Sequence, residues 1–76
     1  MTIRQDRHAE AHRRMLVAVS LSMWSEAAEA AMTAARYCHD AGNRRRLRER
    51  AANYRTAAIL HGEVKIDQHI AEVHAR

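Results

Sequence analysis

The sequence predicts an all-α protein, an antiparallel helical hairpin, and three observations carry that expectation. Proline is absent and glycine occurs only at Gly42 and Gly62, while Ala, Arg, Glu, Met and Leu, all strong helix formers, dominate. Apolar residues recur at alternating steps of three and four, the period of a helix lying along another helix. One interior stretch, Ala41-Gly42-Asn43, holds both marks of a helix boundary: a glycine able to take the left-handed conformation and an asparagine able to cap the next helix.

The spacing therefore predicts a single hairpin domain over residues 1–76, with a first helix over about 3–40, a turn at 41–43 and a second helix over about 44–74. Thr2-Ile3-Arg4-Gln5 has the capping-box spacing at the start, and Asp6 is a second candidate cap. Gly62 either breaks the second helix, with Asp67 capping a short third one, or sits inside it at a cost of about 1 kcal/mol. Continuity is the preferred expectation. Ser22 or Ser25 offers an alternative cap that would divide the first arm and give three helices.

Two apolar seams run side by side along the first arm. Leu16, Val19, Met23, Ala27, Ala30, Ala34, Tyr37 and Ala41 form one; Val17, Leu21, Trp24, Ala28, Ala31, Ala35 and Cys38 form the other. One antiparallel neighbour covers only one seam, so this arm requires two neighbours. In the second arm Leu47, Ala51, Tyr54, Ala58 and His61 match the first seam, and folding about Gly42 sets Tyr54 against Ala30 and Ala31, with His61 near Met23 and Trp24. Ile59, Ile66, Ile70 and Val73 lie on a different face.

At this size a single core is marginal, and the lone Cys38 permits no intrachain disulfide. Ordering costs about 1.5 kcal/mol per residue, which a two-helix contact seldom offsets. The expected remedy is a homodimer forming a four-helix bundle, joined through Val17, Leu21, Trp24, Ala28, Ile59, Ile66 and Ile70.

The net charge of +4 is carried almost entirely by arginine, Lys65 being the only lysine. Arg44, Arg45, Arg46, Arg48, Arg50 and Arg55 crowd the start of the second helix, and Arg36 lies near the end of the first. Unpaired amides already make a helix start positive, so fold stability does not ask for arginines there, whereas a phosphate or carboxylate would be held well. The expected function is a small adaptor or regulator, an inhibitor among the options, that binds a protein partner through helix faces and this arginine-rich end. The alternative is a nucleic-acid-binding regulator using phosphate contacts, although no aromatic residues interleave the cluster for base stacking. The bland reading is a solvated charged end partly neutralised by Asp40 and Glu49.

A second alternative is a metal-binding bundle. His8 and His12 stand one helical turn apart, the spacing at which two imidazoles share a metal ion, and His69 or Glu72 of the opposite arm would have to complete the set. Surface histidines are the simpler reading, and no metal or cofactor is expected. No glycine-rich phosphate loop or catalytic triad is visible, and adjacent Cys38 and His39 diverge on a helix, so an enzyme is not expected. Met1-Thr2-Ile3-Arg4 lacks the apolar core of a secretory signal and no run reaches the roughly 20 apolar residues of a membrane span. A cytoplasmic location without membrane attachment is the expectation.

The hairpin pattern resembles the plasmid copy-control helical bundles, and from Ala27 to Ala58 it is similar to the helix pairs of tetratricopeptide repeats. The large and small residues around Gly42 do not follow the tetratricopeptide pattern consistently, and one pair makes no stable array. Membership of neither family is implied.

Overall fold

The structure is a computed structural model that describes residues 2–63. Ile66, Ile70 and Val73, the histidine and glutamate at 69 and 72, and the expected run of the second helix to 74 lie outside the described residues. The chain forms three helices in order, α1 (Ile3–Ser20), α2 (Trp24–Arg36) and α3 (Ala41–Leu60), and there is no strand among the described residues.

Helix α1 starts where the sequence indicates. The Gln5 amide donates to Thr2 Oγ1 at 3.2 Å and the Thr2 amide donates to Gln5 Oε1 at 3.0 Å, a complete capping box. The expected long first helix is corrected at its middle, because α1 stops at Ser20. Ser22 takes φ 55°, and the amides of Ser22 and Met23 turn back to the carbonyls of Val19 and Ala18 at 3.0 and 2.8 Å. That is a Schellman closure, usually built on glycine. Neither Ser22 nor Ser25 caps α2: its N-cap is Met23, without a side-chain bond. The amides of Trp24 and Ser25 donate instead to Glu63 Oε2 and Oε1, at 2.9 and 3.3 Å, from the far end of α3.

The second boundary also moves. Helix α3 begins at Ala41, and its cap is Asp40, whose Oδ2 accepts the Asn43 amide at 2.8 Å. Gly42 thus belongs to the first turn of α3, where an added Cβ would stand 3.3 Å from that capping oxygen. The left-handed glycine is Gly62, at φ 78°: its amide bonds Ile59 O at 3.1 Å and the Glu63 amide bonds Ala58 O at 2.8 Å, so α3 ends at Leu60 rather than running through.

Helix α2 packs on both other helices, which barely meet each other. Each pairing is antiparallel. His8 of α1 bonds the Ala34 carbonyl of α2 and Met23 closes onto Ala18, while Trp24 stacks on His61 at 5.7 Å and Cys38 shares its cluster with Leu47. The two neighbours demanded by the two seams are therefore α1 and α3 of the same chain. Six buried alanines, Ala27, Ala28, Ala30, Ala31, Ala34 and Ala35, let the helices approach closely, and Tyr54 packs against the cluster holding Ala30 and Ala31, as the pairing predicts. Met15 is the largest fully buried side chain.

Candidate functional site

The directions of the helices decide what the arginines do. Because α1 and α3 both run antiparallel to α2, their N-termini share one end of the molecule with the C-terminus of α2, and three elements contribute charge to it. Arg4 of α1, Arg36 of α2, and Arg44 and Arg48 of α3 line one cleft of about 420 Å³ together with Met32, Thr33 and Ala35. No carboxylate and no aromatic ring is among those lining residues. Arg4, Arg36 and Arg48 are exposed, so each is free to meet a large partner.

Arg44 has a structural duty. It is half-buried, and its Nη2 donates to the Cys38 carbonyl at 2.9 Å, fastening the start of α3 to the chain leaving α2. Asp40, bonded to the Asn43 amide, supplies negative charge at the same start, although the first turn of α3 itself holds no acidic residue. Arg44 thus combines that duty with a place on the wall of the cleft.

The remaining arginines of α3 separate by helical phase. Arg45 lies with Glu49 and Ala52 on the outer side of α3. Arg55 borders an apolar groove with Ala28, Met32 and Ile59. Arg46 and Arg50 face α1, where they line a cleft of about 260 Å³ with His8, His12, Asn43 and Leu47. The six arginines that look like one run in the sequence thus serve several surfaces, and Arg4, which sequence reasoning missed, joins one of them because α1 folds back. Arg7 is drawn elsewhere, its guanidinium 5.9 Å from the Tyr37 ring centre.

His8 and His12 do come together, with ring centres 6.2 Å apart. A carbonyl oxygen only accepts, so His8 Nδ1 donates to Ala34 O at 2.9 Å and Nε2 is the nitrogen left over. No group of three or more His, Cys, Asp or Glu able to hold a metal ion occurs among the described residues, and His69, the expected third ligand, lies outside them. Cys38 is buried, its thiol 3.5 Å from the Asp40 carbonyl.

The expected interface residues divide in two. Trp24, Ala28 and Ile59 find neighbours inside the chain: Ala28 is buried, Ile59 is half-buried, and half-buried Trp24 lies 6.1 Å from Tyr54 and 5.7 Å from His61. The break at Ser22 causes this, since it interrupts the stripe that a continuous helix would have carried from Val17 to Ala28. His61, expected near Met23 and Trp24, stacks on Trp24 and is exposed. Among the described residues Val17 and Leu21 stay uncovered, at 57% and 63% exposure, and with Met23, Ala18 and Ala30 they form an apolar groove of about 410 Å³ edged by Glu10, Glu26, Arg13 and Arg14.

No helix among the described residues is long and apolar enough to cross a membrane. Comparison of the chain with protein-family models, with curated proteins and with solved structures gave no match.

Proposed function

We propose that this chain is a small helical adaptor or regulator whose work is binding: it seats the arginine-bearing end on an acidic surface of a protein partner. The carrying observation is the cleft of Arg4, Arg36, Arg44 and Arg48, assembled from three helices with no carboxylate on its walls. Asp40 and Glu49 stand near Arg44 and Arg48 but outside this cleft, so four cations share its walls, their mutual repulsion costs folding free energy, and an acidic partner relieves it. The lack of an aromatic lining favours carboxylates over single-stranded bases, for which stacking platforms are the usual device.

Two copies associate through Val17, Leu21 and Met23. What supports this is the edging of that groove by both signs of charge, Glu10 and Glu26 beside Arg13 and Arg14, which lets a two-fold pairing set each copy's arginines against the other's glutamates. The helices α1 and α2 of each chain then make the four-helix bundle.

The test replaces Arg36 and Arg48 by glutamine, leaving Arg44 in place. A partner captured from the native cell by the wild-type chain is expected to be an acidic protein, and the double variant should lose it at unchanged helicity. A partner held equally by the variant overturns the reading. A gel shift with DNA or RNA that fades between about 50 and 200 mM salt, and that the variant abolishes, replaces it by the nucleic-acid alternative.

A further inference from the structure

The second basic cleft differs from the first in kind, because it brings two imidazoles to two guanidinium groups. His8 and His12 come from α1, Asn43, Leu47, Arg46 and Arg50 from α3, and α2 contributes the Ala34 carbonyl that holds His8. No Asp or Glu is among the residues lining this cleft. From these groups we propose that the cleft is a binding site for a tetrahedral dianion, the phosphoryl group of a phosphate monoester or of phosphate itself, and that protonation of the histidines tightens it.

Charge selects the ligand class. Two guanidinium groups beside two imidazoles repel a divalent cation, so the pair that its spacing alone would assign to a metal becomes part of an anion site. Arginine forks match the edges of a phosphoryl group, the side-chain carboxamide of Asn43 can donate to a third oxygen, and about 260 Å³ suits a small polar ligand more than a drug-sized one.

The bond to Ala34 makes His8 the sensitive member. With Nδ1–H committed to that carbonyl, the neutral ring can offer the cleft only the lone pair of Nε2, which repels an anion. Taking a proton at Nε2 turns the same atom into a charged donor while the Ala34 bond is kept.

Sulfate is the discriminating probe, because its charge stays at two between about pH 8 and pH 6 and any pH dependence then belongs to the protein. Calorimetric titration of the full chain with sodium sulfate is expected to show one pH-dependent site per chain, with affinity rising on acidification by up to about tenfold per pH unit for each proton taken up. Arg46→Gln and Arg50→Gln should each weaken binding about tenfold or more. His8→Gln should flatten the pH profile while leaving binding at the alkaline end. Absence of sulfate binding at the acidic end, or a profile that His8→Gln and His12→Gln leave unchanged, overturns the proposal. Arg36→Gln with Arg48→Gln, which tests the partner surface, should leave the pH-dependent sulfate site intact, so the two readings fail separately. Inorganic phosphate and a phosphoserine peptide, titrated in parallel, separate a free ligand from a phosphorylated partner: preference for either identifies the source.

Discussion

Ser22 shows how much one backbone angle decides. Its φ of 55° permits the Schellman closure that ends α1, yet a left-handed L-residue costs about 1–2 kcal/mol. Ser22 is exposed, and its amide rather than its side chain closes the turn on Val19. Ser22→Gly should therefore raise stability by about 1 kcal/mol, less the extra freedom glycine has in the unfolded chain, and equilibrium urea denaturation measures it. A lower midpoint in the variant would mean that the serine side chain contributes more than its backbone strain costs. The same residue explains why this boundary was hard to read. Glycine advertises the left-handed conformation at position 62, where the sequence offered a break as an alternative, whereas serine at 22 reads as a cap for the helix after it.

At the scale of elements, a helix end marked by a side-chain motif of fixed spacing was legible, and one held by a distant partner was not. Thr2 and Gln5 stand three residues apart, so their box could be recognised from spacing alone. The amides opening α2 are instead satisfied by Glu63, across 39 positions of sequence for Trp24 and 38 for Ser25. No periodicity reports such a bond. It makes α3 a clamp on the α1–α2 corner, because a carboxylate bonded to two amides and facing a helix start stabilises through hydrogen bonds and the dipole together. Glu63→Ala should cost about 1 kcal/mol overall, with faster amide exchange at Trp24 and Ser25 than at the middle of α2. Exchange unchanged at those two amides would show that they have another acceptor. The arginine surfaces obey the same rule. The charge run was plain in the sequence, but its division depended on helical phase and on α1 returning beside α3, which the expected unbroken first arm would not have allowed.

For the whole molecule, alanine is both the solution and the difficulty. A core made of Ala11, Ala18, Ala27, Ala30, Ala31, Ala34 and their neighbours brings three helices close, yet each alanine removes little apolar surface from water. Larger groups that would add most, Leu16, Val17, Leu21 and Met23, remain exposed among the described residues, at the end opposite the cleft of Arg4, Arg36 and Arg48. Covering a valine or leucine fully is worth about 1.5–3 kcal/mol, and a two-fold axis covers two copies of each. Sedimentation of the wild-type chain should then report a particle of twice the chain mass, and Leu21→Arg should return it to one chain, by setting a charged side chain on the apolar floor of the shared groove, where burial strips its water. Helicity should persist in the variant because Leu21 lies just beyond α1 and contacts the groove rather than the buried core. A wild-type chain that stays single while melting cooperatively would show that the alanine core suffices, and Val17 and Leu21 would then be left without the neighbour that their exposure argues for.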